Sequence, residues 1–224
     1  MDYSNDRITF QRKASRITVV AHLFGILALI LLLVWLLHYR EGLNLDSDNP
    51  LRIFNVHPFL MFFGFIFLSG EAMMVYKTLP GDRESQKFIH MFINLTAICL
   101  GIIGIHAVFK YHDRRNLTDM YSLHSWIGMG TFCLFCLQWL FGFTMFLFPK
   151  ASLTTRARAL PWHICGGRAL LYMAICTAET GLMEKVTFLG QLNTRESPLI
   201  NFTGLAILLF GLSVDLSIAL ARYV

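Results

Sequence analysis

The stretch Leu23-Phe24-Gly25-Ile26-Leu27-Ala28-Leu29-Ile30-Leu31-Leu32-Leu33-Val34-Trp35-Leu36-Leu37 contains no charged side chain and no proline. A helix must carry about 20 mostly apolar residues to cross a bilayer, because the hydrocarbon core is about 30 Å thick and a helix rises about 1.5 Å per residue. With its flanks, the run extends over Ile17–Leu37 and meets that length. It is too long for the apolar region of a typical signal peptide, and no small-residue cleavage site follows, so it reads as a retained span. Further segments of the same kind are His57–Tyr76, Phe88–Phe109, Leu123–Phe148, Trp162–Leu182 and Leu199–Ala221. Of the 224 residues, 55% are hydrophobic, above the roughly 45–50% of soluble domains. The expected fold is one all-α integral membrane domain over residues 1–224. It has six transmembrane helices, with the second to fifth spans forming a central four-helix bundle.

Charge sets the expected orientation. One side collects Arg7, Arg12, Lys13, Arg16, Lys77, Arg83, Lys87, Lys150, Arg156, Arg158 and Arg222. The other has fewer cations (Arg40, Arg52, Lys110, Arg114, Arg115, Lys185 and Arg195), diluted by acids such as Asp46, Asp113 and Glu184. The more cationic side is expected to be cytosolic, with both termini on it. The cysteines, Cys99, Cys133, Cys136, Cys165 and Cys176, all fall inside spans. Cys133-x-x-Cys136 has apolar flanks and no second pair, so it reads as helix filling rather than a metal site.

Histidine is rare in spans, because a polar ring in hydrocarbon needs a partner. Here His57, His90, His124 and His163 each sit just inside a helix end. Alternating helix direction places His57 and His124 at the outer level and His90 and His163 at the cytosolic level. Two neutral imidazoles facing each other at one depth can supply both axial ligands of a haem iron, and such ligation suits electron transfer. The two levels are expected on the order of 20 Å apart. Two haem groups per chain are therefore expected, one for each pair. A transition-metal transport path is the competing use of these histidines, but it would favour acidic partners at the same depth, and His57 and His124 have none nearby. Gly64, Gly70, Gly101, Gly104, Gly128, Gly130, Gly166 and Gly167 leave room for close helix approach or for a flat macrocycle.

Several motifs resemble the cytochrome b-561 family, the transmembrane ascorbate-dependent reductases. They are His38-Tyr39-Arg40-Glu41-Gly42, Phe54-Asn55-Val56-His57-Pro58, Gly70-Glu71-Ala72-Met73-Met74-Val75-Tyr76-Lys77, Tyr121-Ser122-Leu123-His124-Ser125-Trp126, Leu160-Pro161-Trp162-His163 and Gly181-Leu182-Met183-Glu184-Lys185. The likeness covers nearly the whole chain and is closest to plant members. It implies an oxidoreductase with two haem b groups in a homodimer. Ascorbate is oxidised on the cytosolic side, and monodehydroascorbate or a ferric chelate is reduced on the far side. Pairing of the second span with the fourth, and of the third with the fifth, agrees with the depth argument.

For the cytosolic ascorbate site the resemblance implies Arg83, Lys87 and Arg156, and the cationic rim adds Lys77. Position 83 carries Arg where close relatives carry Lys, keeping the charge but exchanging a point charge for a planar fork. For the outer acceptor site it implies Tyr111, His112 and Tyr121, with His112 able to supply or remove a proton. Arg40 and Arg115 are placed to attract anionic ferric chelates or lipid headgroups. Membrane lipid is an expected partner and nucleic acid is not. Asn116-Leu117-Thr118 is a glycosylation sequon in an outer loop. His22, His38, His106, Glu71, Glu179 and Asp215 receive no functional role. A haem-bearing subunit of a larger redox complex is the second reading. The vacuolar, plasma and vesicle membranes all remain open.

Overall fold

The computed structural model describes residues 3–188, 190 and 195–220, with side chains described from residue 15 onward. The described residues form helices and connecting turns, with no strand among them. Helix α1 is Tyr3–Val34, prolonged by a wide π turn over Trp35–Tyr39. Helix α2 is Pro50–Thr78, α3 is Arg83–Arg115, α4 is Leu123–Phe146, α5 is Leu153–Phe188 and α6 is Glu196–Leu220.

Five helical segments are long and apolar enough to cross a membrane: Ser15–Tyr39, Pro50–Thr78, Arg83–Arg115, Leu123–Phe146 and Glu196–Leu220. The fifth expected span, Trp162–Leu182, lies inside α5, which is long enough but is not one of them. Arg168 and Glu179 interrupt its apolar run. The side chains of Arg7, Arg12 and Lys13, and all of Ala221 and Arg222, fall outside the described residues.

Several helices begin well before their apolar runs, because capping rather than hydropathy starts a helix. Helix α2 opens seven residues ahead of His57: Asn49 Oδ1 accepts from the Leu51 N–H at 3.0 Å, and Pro50 takes the first turn, where its missing N–H costs nothing. Asp82 accepts from the Glu84 and Ser85 N–H groups, both at 2.9 Å, and starts α3 before Phe88. Helix α5 starts at Leu153 and runs through Pro161, so most of the connection expected between Phe148 and Trp162 is helical. Only α4 starts where its apolar run does, on a Ser122/Ser125 capping box. Within α2, Pro58 removes a backbone donor, and the helix widens to π geometry over Leu60–Phe67.

Helices α1 and α6 pack together along their length and lie against α2. Phe210 is fully buried and packs, tilted, against Phe67 at 5.6 Å between ring centres. A Cβ at Gly25 would come within 2.6 Å of the Phe67 ring, so glycine is needed for this approach. Two polar pairs tie the bundle: His22 to Glu71 at 2.9 Å, and Arg168 Nη2 to Asp215 Oδ2 at 2.9 Å. Bulky apolar side chains such as Leu23, Ile30, Phe92, Trp126, Leu137 and Leu205 are left exposed around the outside. An apolar exterior this extensive suits hydrocarbon rather than water.

Candidate haem-binding site

The histidines meet in the expected pairs. The His57 and His124 ring centroids are 6.1 Å apart, and those of His90 and His163 are 6.2 Å apart. A metal–imidazole nitrogen bond is about 2.0–2.1 Å; adding roughly 1.1 Å from nitrogen to ring centre on each side gives about 6.3 Å for two rings on one ion. Both pairs match that spacing.

In three of the four histidines the ring nitrogen that would not face the metal is held by a main-chain carbonyl. His57 Nδ1 donates to Gly104 O at 3.0 Å, His90 Nδ1 to Ala72 O at 2.8 Å and His124 Nδ1 to Thr177 O at 2.8 Å. These bonds fix the tautomer that leaves Nε2 free to ligate. Helices α2 and α3 thus exchange partners: each supplies a histidine at one level and a carbonyl at the other. Between His57 and Ala72, and between His90 and Gly104, the helix rises about 21–22 Å at about 1.5 Å per residue, which separates the levels by the expected distance. Helix α5 does the same for α4 through Thr177. Helix α4 does not return a carbonyl to His163. Its Gln138 side-chain amide lies 3.1 Å from His163 Nδ1 and 2.6 Å from His163 O.

Two glycines unassigned in the sequence reading make room for the rings. A Cβ on Gly142 would lie 2.8 Å from His163 Cε1, and one on Gly181 would lie 2.7 Å from His124 Cε1. Between His90 and His163 a cavity of about 1040 Å³, counting its open mouth, is walled by Phe65, Met73, Asn94, Phe135, Gln138 and Trp139. Largely apolar walls, several of them aromatic, with two opposed imidazoles suit a macrocycle.

The rim residues divide. Lys87 and Tyr76 line the cavity; Tyr76 stands 5.7 Å from the His90 ring, and the Arg83 guanidinium lies 5.7 Å over the centre of the Tyr76 ring. Lys87 and Lys150 both reach Glu84 Oε1, at 3.0 and 3.2 Å, and these two bonds hold the Glu84 carboxyl below the ordinary carboxylate range. Lys77 turns away and donates to Ser217 on α6. Arg156 is half-buried, with its Nε unpartnered, and does not line the cavity. At the opposite end Tyr111 packs on Phe54 at 5.1 Å, and Phe54 on His57 at 6.3 Å. His112 Nδ1 bonds Asp119 Oδ1 at 2.7 Å. Tyr121 is exposed, and its phenol is pushed up by partial burial, with Glu184 and Tyr111 adding to the shift. Neither Tyr76, Gln138 nor Lys185 stood out as a site residue in the sequence, since an aromatic, an amide and a lysine at a span end have ordinary structural uses.

The family model for eukaryotic cytochrome b561 matches residues 56–189. The chain is 44% identical over 207 residues to a probable ascorbate-specific transmembrane electron transporter of Oryza sativa subsp. japonica, covering 90% of this chain and 88% of that one. It is 43% identical over 208 residues to transmembrane ascorbate ferrireductase 1 of Arabidopsis thaliana, covering 91% and 87%. With a plasma membrane ascorbate-dependent reductase of Xenopus laevis the identity is 40% over 201 residues, covering 84% and 69%. The fold and its paired histidines fit a membrane-embedded b-type cytochrome. The chain belongs to the eukaryotic cytochrome b561 family, which implies haem b as its cofactor.

Proposed function

We propose that this chain is an oxidoreductase that carries electrons across a membrane from cytosolic ascorbate to monodehydroascorbate or a ferric chelate on the other side. The observation that carries the reading is the pair of facing imidazoles at each of two levels, spaced 6.1 and 6.2 Å centre to centre. The names of the relatives, ascorbate-specific electron transporter and ascorbate ferrireductase, support the donor and the activity.

In this reading His57 and His124 hold one haem b and His90 and His163 the other, with α5 as a sixth span. Haem b bound by two histidines supplies a one-electron couple with no open iron position. The protein's part is placement. The carbonyls of Gly104, Ala72 and Thr177 orient three of the rings, and the Gln138 amide lies beside the fourth and donates to the main-chain carbonyl of His163. Ascorbate is an anion near neutral pH, and Lys87 and Arg83 with Tyr76 form the cationic, aromatic mouth that receives it, on the side the charge distribution marks as cytosolic. At the other face Tyr111, His112 and Tyr121 receive the acceptor; Asp119 holds His112 ready to exchange a proton. A homodimer is part of the proposal by family resemblance. The metal-transport reading loses ground because the rings are flanked by carbonyls and an amide rather than by carboxylates.

Haem stoichiometry tests the proposal. The purified protein is expected to hold two haem b per chain, both reduced by ascorbate alone. H57A and H163A are each expected to hold one. Full haem retention in either variant would refute the ligand assignment, and no reduction by ascorbate would favour a subunit that needs a redox partner.

A further inference from the structure

Among the described residues with described side chains, Lys185 is the lysine whose ammonium meets no hydrogen-bond acceptor. Lys77 donates to Ser217, Lys87 and Lys150 to Glu84, and Lys110 to Asp46. Lys185 Nζ instead sits 3.8 Å over the centre of the Phe54 ring. A cation on an aromatic face gains some stabilisation, and it leaves the three ammonium donors of this half-buried side chain available to a ligand. Its charged neighbours are Arg40 and Glu196. Glu196 is already taken by Arg40 Nη2, and Arg40 Nε is buried with no partner of its own. Two cations therefore stand beside one carboxylate, and donors on both are unspent. The place is next to the His57–His124 pair, because Phe54 packs on His57 at 6.3 Å and on Tyr111 at 5.1 Å.

We propose that Lys185, seated on Phe54 and assisted by Arg40, is a carboxylate-binding residue at the rim of the His57–His124 centre. The carboxylate has two possible sources: a propionate of the haem held there, or a carboxylate of the incoming acceptor, such as a ferric citrate complex. The chemistry at Lys185 is the same for both, a charge-assisted hydrogen bond shielded from water. The inference rests on the function proposed above, since it needs a haem and an acceptor at this face.

The test uses the haem-loaded full chain and its K185M and K185R variants. Redox titration reads the midpoint of each haem, and steady-state reduction reads KM for ferric citrate against an uncharged ferric hydroxamate. A lower midpoint for the His57–His124 haem alone in K185M assigns the carboxylate to the propionate. An unchanged midpoint with the citrate-to-hydroxamate KM ratio raised about tenfold assigns it to the acceptor. In both cases K185R restores most of the effect. Unchanged midpoints together with an unchanged KM ratio overturn the proposal. Should K185M fail to hold haem, K185Q gives the same two readings. A wild-type protein that lacks haem, or that ascorbate does not reduce, would instead refute the function on which the inference rests.

Discussion

Gly142 and Gly181 show how much at the proposed haem sites depends on an absent methyl group. Each lies against the edge of a histidine ring, at 2.8 Å and 2.7 Å from where a Cβ would stand. Those distances force the ring to move, because the opposing atom belongs to a short side chain already tethered at Nδ1. G181A is expected to lower occupancy of the His124 centre alone, and G142A that of the His163 centre alone. Haem content read with low-temperature spectra checks this, and equal loss at both centres would contradict it. Glu84 offers a second test at this scale. Its carboxylate holds Lys87, a cation of the proposed ascorbate mouth, together with the neighbouring Lys150. E84Q is therefore expected to lower KM for ascorbate by roughly two- to fivefold, as exposed ion pairs are weak competitors. The Glu84 carboxyl is held below its ordinary value. Its ion pairs are thus present above the ordinary carboxylate range and are lost only as pH falls through the lowered value. The gap between wild type and E84Q should stay constant from about pH 7.5 to about pH 5.5.

The elements were legible in the sequence by their apolar runs, and the histidines by being polar within them. The pairing followed from helix direction alone, since a ring at the start of one span must share a level with rings two spans away. The starts of α2, α3 and α5 were not legible that way. Asn49-Pro50 and Asp82 lie outside the apolar windows, so hydropathy places the starts of α2 and α3 too late. Pro161 reads as a loop boundary but sits inside α5. The exchange of carbonyls between neighbouring helices also has no sequence signature, because main-chain acceptors are present at every position. Gln138 is the exception in kind: a side chain stands where the other helices present backbone. N49A removes the cap of the helix that carries His57. It is expected to cost about 1 kcal/mol and to lower Tm by roughly 2–4 °C, with loss of the His57–His124 haem preceding that of the other. Thermal scans followed in the haem band check the order of loss.

For the whole molecule, the proposed function rests on two histidine pairs about 21–22 Å apart along the bundle, each with its own polar rim. One rim is Lys87, Arg83 and Tyr76; the other is Tyr111, His112 and Lys185 on Phe54. Helices α1 and α6 contribute no histidine to either pair and brace the bundle through Phe210, Trp35 and their polar ties. A chain built this way should conduct only when both centres are intact, and only between opposite faces. The direct measurement is electron transfer in proteoliposomes that hold ascorbate inside and a membrane-impermeant ferric citrate outside. The predicted result is ferrous iron formed outside by the wild type, and none above background with H57A or with H163A. Undiminished reduction by either variant, or reduction only when ascorbate and acceptor share one face, would contradict transfer across the membrane through two histidine-held haems.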